Sequence, residues 1–247
     1  MVSLEVCANS AISAVAAQMG GAIRVELCNN LHQGGTTPSH GHIALARKQL
    51  HIKLYVLIRP RSGDFLYTND EYQLMLTDMR HSIEMGCDGI VCGILKKDGT
   101  IDMERNALIV DMARKHGVGI TFHRAFDVCL DQDQALEDII ELGFERILTS
   151  GGKSSAMEGA SHIKHLIDKS NGRIKIMPGG GINEANVANL VRFTTATEIH
   201  TSARTLINSK MEHRSHVMMG TRFVDEYATY ETDTELVARL VRVANGG

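Results

Sequence analysis

The chain alternates short apolar, β-branched runs with longer stretches in which apolar residues recur at helical spacing. Eight runs have the length and composition of strands: Leu4–Cys7, Ile23–Cys28, Lys53–Arg59, Gly89–Cys92, Gly119–His123, Arg146–Thr149, Arg173–Met177 and Thr197–Thr201. Most of the connections between them are long enough for a crossover helix, which parallel strand pairing requires. The pattern therefore predicts eight strand–helix units.

Capping residues mark the ends of several predicted helices. Asp131 is a predicted N-cap, Gln134 lies at the capping-box spacing from it, and Gly143 ends the helix that follows. The same scheme of an N-terminal polar residue, helical apolar spacing and a final glycine recurs over 102–117 and 69–86. These segments are the clearest helices in the sequence.

Eight strand–helix units in 247 residues fit one closed (β/α)8 barrel, a TIM barrel spanning 1–247, better than two domains. An open doubly wound sheet is the alternative, and it is disfavoured because no strand leads into a G-x-G-x-x-G turn. Residues 203–232 fit no periodic template, so we expect an irregular C-terminal extension that serves as a lid or as an oligomer contact. A closing helix is predicted at about Asp233–Val243.

Composition narrows the class of protein. Hydrophobic residues make up 43% and charged residues 22%, which excludes wholesale disorder. The net charge of -3 provides no basic field for nucleic acid, and no apolar run approaches the roughly 18 residues of a membrane span. No Lys or Arg precedes Arg24, so no secretory signal is expected, and five cysteines, an odd number, indicate reduced thiols. We expect a cytoplasmic globular protein.

Alternation along the strands predicts which polar side chains face the barrel interior, because residues two apart share a face and the outer face packs against helices. The interior set is Glu5, Cys7, Glu26, Cys28, Thr121, His123, Glu198, His200 and Ser202. Arg59 and Arg61 follow at the end of the third strand, with Asp64 in the next loop. Two interpretations stay open and are compatible: an ion-pair network in which the inward glutamates neutralise both arginines, and a functional site at the C-terminal face.

Cys7 and Cys28 end neighbouring strands in the same sequence context, Glu-x-Cys. At matching positions of parallel strands, their Cα atoms are predicted to lie about 5 Å apart. Two convergent thiolates suit a soft ion such as Cu(I), with Glu5 and Glu26 biasing the local field toward a cation. The alternative is that both cysteines are small buried hydrophobes.

Two glycine-rich loops follow the sixth and seventh strands, and glycine loops before a helix expose backbone N–H groups that bind anions. With the two arginines, they define a candidate anion site: Arg59, Arg61, Gly151, Gly152, Gly179 and Gly180. The simpler interpretation is that these glycines only permit tight turns. If a small anionic substrate does bind, His123 or His200 is the candidate general acid or base, oriented by Asp64 or Asp127.

Several motifs together resemble the CutC copper homeostasis family. They are Glu5-Val6-Cys7, Arg24-Val25-Glu26-Leu27-Cys28, Gly34-Gly35-Thr36-Thr37-Pro38-Ser39, Ile58-Arg59-Pro60-Arg61-Ser62-Gly63-Asp64-Phe65, Thr121-Phe122-His123-Arg124-Ala125-Phe126-Asp127, Leu148-Thr149-Ser150-Gly151 and Met177-Pro178-Gly179-Gly180-Gly181-Ile182. The similarity covers about 4–204 and departs from the family's usual Arg-Gly-Gly-Asp at Ser62.

The resemblance implies a cytosolic TIM-barrel homo-oligomer with a role in copper tolerance or trafficking. It also implies that Cu(I) is held by Cys7 and Cys28, whereas it fixes no enzymatic reaction. A Cu(I)-binding protein is therefore the leading hypothesis. The second hypothesis is a barrel enzyme acting on a small anionic or phosphorylated substrate, and the third is a barrel whose role is assembly with a partner.

Overall fold

The predicted barrel is confirmed by a computed structural model, which describes residues 1–217, 219 and 225–247. Its eight parallel strands are β1 Ser3–Ala8, β2 Arg24–Leu27, β3 Lys53–Leu57, β4 Gly89–Cys92, β5 Gly119–Phe122, β6 Arg146–Thr149, β7 Lys175–Pro178 and β8 Glu198–Thr201. Consecutive strands pair from β1 to β7, and β8 pairs with β1. A parallel bridge between Gly179 and His200 joins the two remaining edges, so the sheet closes into a barrel.

Helices surround this sheet in the order that the sequence pattern predicts. They are α1 Ala11–Met19, α2 His40–Gln49, α3 Asn69–Glu84, α4 Met103–His116, α5 Gln132–Leu142, α6 Ala160–Ser170, α7 Val187–Thr194 and α8 Thr234–Ala244, with 3-10 turns at Leu31–Gln33 and Arg124–Val128. Asp131 caps α5 as predicted, but Gln134 donates to Asp138, so the capping box is not formed there. Among the described helices, none is both long and apolar enough to cross a membrane.

The outer face of the strands is apolar because the helices bury it. Val6, Val25 and Leu27 have no exposed surface and belong to the large core between sheet and helices. Cys7 and Cys28 belong instead to a small separate cluster inside the barrel, with Tyr55, Leu57 and Val91. The two faces of these strands thus belong to two separate buried clusters, as the alternation of residues along each strand predicts.

The segment expected to be irregular, 203–232, contains regular structure at both of its ends. Arg204–Asn208 (β9) pairs antiparallel with Ala228–Thr232 (β10), and the Arg204 guanidinium lies 4.7 Å from the Tyr230 ring centroid. Most of this ribbon is exposed on both faces, so it lacks the apolar alternation by which strands are detected. Positions 218 and 220–224 of the same segment lie outside the described residues.

Candidate functional site

A cavity of about 410 Å³ opens at the C-terminal ends of the barrel strands, where barrel enzymes gather their chemistry. We call it the mouth cavity. The residues that line it are Cys7, Glu26, Leu31, Gly34, Gly35, Leu57, Arg59, Phe65, His123, Arg124, Leu148, Gly180, Gly181, Ile182, His200, Thr201, Ser202 and Arg204. Seven of the eight barrel strands, or the loops that follow them, contribute to this wall, so the cavity depends on the closed barrel.

Two thiols meet at the floor of the mouth cavity. The Sγ atoms of Cys7 and Cys28 are 3.3 Å apart, a hydrogen-bond contact rather than the ~2.05 Å of a disulfide bond. Cys28 has no exposed surface, whereas Cys7 retains 6% and lines the cavity. The hydrogen bond with Cys28, followed by burial, raises the pKa of the Cys7 thiol well above its ordinary value. Without a cation beside it, this thiol is protonated at neutral pH.

The register of β1 and β2 differs from the one that the repeated Glu-x-Cys pattern suggests. Cys7 is directly opposite Glu26, not Cys28, and Glu5 is opposite Arg24. Strands in a barrel are staggered because the closed sheet has a shear, and the stagger carries Cys28 beyond the level of Cys7. The sulfurs still meet, because Cys28 follows the end of β2 and its side chain turns back toward Cys7.

His200 and Glu26 lie beside the Cys7 thiol. One potential ligand atom from each of these three residues lies within 4.8 Å of the others. The Nδ1 atom of His200 is 2.7 Å from a Glu5 carboxylate oxygen, and its Nε2 atom is 3.6 Å from Glu26. A proton on Nδ1 is thus bound by Glu5, which leaves Nε2 facing the side of Glu26 and Cys7.

Charges in this cluster shift the pKa values in opposite directions. Burial alone would lower the pKa of His200, but the hydrogen bond to Glu5 and the nearby Glu26 raise it. Burial raises the pKa of Glu26, partly offset by the charge of His200. Burial would likewise raise the pKa of Glu5, but the Arg24 charge and the His200 hydrogen bond lower it to about 2.

Two buried arginines that the sequence analysis does not predict as partners, Arg24 and Arg146, neutralise the interior carboxylates of Glu5 and Glu198. Arg24 forms ion pairs with Glu5 and, at 2.7 Å, with Glu198. Arg146 pairs with the same Glu198 carboxylate at 2.8 Å and with Glu145. Strand alternation also predicts that Arg24 faces the barrel interior, because Arg24 lies two residues before Glu26 and shares its face.

The predicted neutralisation of these glutamates by Arg59 and Arg61 is therefore wrong. Arg59 is buried, but it donates to the backbone carbonyls of Gln33, Gly35 and Gly63. Arg61 lies outside the mouth cavity and binds acids of its own loop and of α3, Glu71 at 2.6 Å and Asp64 at 3.0 Å. Both arginines follow the end of β3, where the chain has left the barrel and alternation no longer sorts side chains.

Glu5 makes the fold sensitive to acid over a defined range. Its pKa, ordinarily 4.5, falls to about 2 in the folded protein, so the unfolded chain binds more protons between these values. The stabilisation of the folded protein by the ionised Glu5 carboxylate is complete above about pH 4.5 and is lost as the pH falls toward 2. We expect Glu5→Gln to remove about 3 kcal/mol of this pH-dependent change in unfolding free energy. Urea unfolding between pH 2 and 4.5 measures this change in the unfolding free energy, with the exposed Glu84→Gln as the control. Parallel pH profiles of the unfolding free energy for wild type and Glu5→Gln would contradict the assignment.

His123 lies on the interior face, as predicted, but its environment does not suit proton transfer near neutral pH. Burial, and then the Arg59 charge, lower its pKa to about 3. The backbone N–H of Ala125 donates to Nδ1, so the neutral ring carries its proton on Nε2. That Nε2 atom is buried and has no hydrogen-bond partner in the described part of the chain.

Neither predicted orienting carboxylate contacts a candidate histidine. Asp127 accepts hydrogen bonds from Thr149 Oγ1 at 2.5 Å and from the Ser150 and Gly152 amides. Asp64 is exposed and pairs with Arg61. The carboxylate that does orient a histidine is Glu5, opposite His200 across the β1–β8 pairing. That partnership follows from barrel closure, which the pattern within a single strand does not reveal.

The two glycine loops differ in whether their amides are free. In the loop after β6, the Gly151 amide donates to Thr149 Oγ1 and the Gly152 amide to Asp127, so this predicted anion site is filled by the chain itself. In the loop after β7, Gly179 donates to the Thr149 carbonyl, and Gly180 lines the mouth cavity with φ of +100°. The Gly151 and Gly152 amides are therefore taken, whereas the Gly181 and Ile182 amides of the second loop donate no hydrogen bond within the described chain.

The fold and the site define a TIM-barrel protein with a thiol-floored cavity at the mouth of its barrel. Residues 2–205 match the CutC family. A CutC family protein of Chromobacterium violaceum is 45% identical over 238 residues, which cover 96% of each chain. The copper homeostasis protein cutC homolog of Mus musculus is 46% identical over 243 residues, which cover 98% of this chain and 89% of the relative. The solved structure of CutC from Streptococcus agalactiae has a TM-score of 0.77 at 36% identity and covers 82% of this chain and 99% of its own. The chain belongs to the CutC family.

Proposed function

We propose that this protein serves copper homeostasis by binding Cu(I) through Cys7 and Cys28. The observation that carries the proposal is the pair of free thiols whose sulfurs lie 3.3 Å apart at the cavity floor. Thiolates are soft ligands and favour Cu(I) over hard cations, which prefer clusters of oxygen ligands. Among the described residues, Cys87, Cys92 and Cys129 make no hydrogen-bond contact with a second thiol, whereas Cys7 and Cys28 contact each other.

Access to the thiol pair is from one side. Cys7 lines the mouth cavity, and Cys28 lies behind it with no exposed surface. An ion that enters the cavity therefore meets Cys7 first, together with the Nε2 atom of His200 and the Glu26 carboxyl group. Both thiols have to lose their protons as the ion binds. The adjoining Glu26 carboxylate favours the cation electrostatically and supports the bound state.

The proposal extends to location and assembly. The two thiols bind Cu(I) only while they remain reduced, and the cytoplasm keeps thiols reduced, so we propose a cytoplasmic protein. We also propose a homo-oligomer, in which the exposed ribbon of β9 and β10 within 203–232 is the contact. Analytical ultracentrifugation of wild type and of Leu206→Glu/Ile207→Glu, which changes two exposed apolar residues of β9, tests the assembly. A monomeric wild type, or an oligomer that the two substitutions leave unchanged, would contradict it.

A competition titration tests copper binding directly. Reduced protein is titrated with Cu(I) in the presence of a chromophoric Cu(I) chelator, and we expect one ion per chain to be withdrawn from the chelator. The same titration with Mg²⁺ and a Mg²⁺ indicator is expected to show no binding. Failure to withdraw Cu(I) at any protein concentration would contradict the proposal.

Glu26→Gln is expected to weaken Cu(I) binding while the thiols remain. The substitution keeps the shape of the side chain and removes its negative charge, which lies in the same ligand cluster as Cys7 and His200. Changes in groups that support metal ligands typically reduce affinity about 10–100-fold. The competition titration measures this loss against Glu84→Gln, an exposed control on α3. Equal affinities for Glu26→Gln and wild type would show that the carboxylate has no part in the site.

A further inference from the structure

The mouth cavity is much larger than a copper ion requires. Its volume of about 410 Å³ lies in the ~300–1,000 Å³ range of small-molecule sites, and the thiol pair occupies only its floor. Part of the wall is apolar, formed by Leu31, Leu57, Phe65 and Ile182. A concave, partly apolar pocket with a few converging polar groups is typical of a site for an organic molecule.

One buried side chain on this wall has a hydrogen-bond donor that nothing in the described chain accepts. His123 is 5% exposed and lines the mouth cavity. Its Nδ1 atom accepts the Ala125 N–H, so Nε2 is a donor, and Nε2 has no partner among the described atoms. A buried donor without an acceptor is unfavourable, and a ligand with an acceptor group would satisfy it.

The loop after β7 adds backbone donors to the same wall. Gly180, Gly181 and Ile182 all line the cavity, and the amides of Gly181 and Ile182 donate no hydrogen bond within the described chain. A Cβ atom at Gly180 would lie 3.5 Å from the Arg124 guanidinium, so this cation rests directly against the loop. Successive free amides beside a guanidinium group form a concavity suited to an oxyanion.

Charge around the cavity also favours an anion. Glu26 is the one carboxylate on the described wall, against the guanidinium groups of Arg59, Arg124 and Arg204. In the part of the chain that the structure describes, no carboxylate lies within ion-pair distance of Arg59. The hydrogen-bond acceptors of Arg59 there are the backbone carbonyl groups of Gln33, Gly35 and Gly63. Arg204 has no ion pair there either and stacks on Tyr230 at the rim. Arg124 is paired with Asp127.

We propose that the mouth cavity binds a small organic anion, whose phosphate or carboxylate group is held by the Gly181 and Ile182 amides, Arg124 and Arg204, with His123 donating to a further acceptor on the molecule. The site is separate from the thiol pair and does not require copper. Gly151 and Gly152 in the loop after β6 take no part, because Thr149 and Asp127 already accept their amides.

Calorimetric titration of reduced, copper-free protein tests the proposal. The probes are glycerol 3-phosphate and lactate, with uncharged glycerol and inorganic phosphate as comparisons. We expect at least one of the organic anions to bind at one site per chain more tightly than inorganic phosphate, and glycerol not to bind. The organic anion that binds more tightly identifies the charged group as phosphate or carboxylate. Absence of binding by both organic anions, or equal binding of glycerol, would overturn the proposal.

Variants link any binding to the mouth cavity. Arg204→Gln, at the exposed rim, and Arg124→Gln are each expected to weaken binding about 10-fold or more, because each removes a charge-assisted hydrogen bond. Arg80→Gln, exposed on α3, is the matched control and should bind as wild type does. Cys7→Ser/Cys28→Ser should retain anion binding, which separates this site from the copper proposal. Unchanged binding in Arg204→Gln, with its thermal unfolding also unchanged, would place the anion elsewhere.

Discussion

Replacing both cysteines in Cys7→Ser/Cys28→Ser is expected to lower Cu(I) affinity more than about 1,000-fold. Changes to groups around metal ligands cost about 10–100-fold, and this variant removes the soft ligands themselves. The hydroxyl groups are close in size to the thiols and lie in the small inner cluster with Tyr55, Leu57 and Val91, so the barrel should tolerate them. The single variants should lie between wild type and the double variant.

Cys129→Ser is the matched control for this experiment. Cys129 is half-buried, and its thiol contacts the Ala125 carbonyl rather than another potential metal ligand. We expect the control to bind Cu(I) as wild type does in the competition titration, and its thermal unfolding reports the cost of a Cys-to-Ser change in itself. Wild-type affinity in the double variant would show that copper binds elsewhere or that the pair is only part of the core.

Arg24→Met is expected to cost about 3–5 kcal/mol of unfolding free energy, which is more than most single substitutions cost. The Arg24 side chain is 5% exposed and is the shared partner of two carboxylates, the buried Glu5 and the partly buried Glu198. Methionine fills similar space but leaves Glu5 without its principal counter-charge. Because a buried carboxylate without a counter-charge is costly, Glu5 should take up a proton at higher pH in this variant.

Arg192→Met, on the exposed surface of α7, is the control, and urea unfolding at neutral pH measures both variants. The control should change the unfolding free energy by less than about 0.5 kcal/mol. If Arg24→Met is no more destabilising than the control, the ion pairs of Arg24 with Glu5 and Glu198 do not contribute to the stability of the barrel. A loss confined to low pH would also contradict the assignment, because Glu5 is ionised at neutral pH.

The barrel was predictable because each of its strands and helices carries a local sequence signal. The β-branched run at Gly89–Cys92 and the Asp131 cap with its stop at Gly143 are examples, and the structure has them at the expected positions. The ribbon of β9 and β10 was missed because neither strand has a buried face to create an apolar period. The local hydrophobic pattern therefore predicts the strands and helices that pack against a core, and it does not predict strands that have no buried face.

The site was predictable only in part, because register and barrel closure decide which interior side chains touch. Alternation correctly placed Cys7, Glu26 and His200 on the interior face of the barrel, but it did not predict that these three come within ligand distance of one another. The pairing of His200 with Glu5 depends on β8 closing against β1. The partners of Arg59 depend on loop conformations after the strand ends, which alternation does not describe.

X-ray absorption at the copper K-edge of reduced protein loaded with one Cu(I) per chain tests the central proposal most directly, since it reports the ligand atoms themselves. We predict two sulfur neighbours around the ion, both lost in Cys7→Ser/Cys28→Ser and unchanged in Cys129→Ser. A spectrum with only nitrogen and oxygen neighbours, or one that the double substitution leaves unaltered, would contradict the assignment of this thiol pair as the copper site.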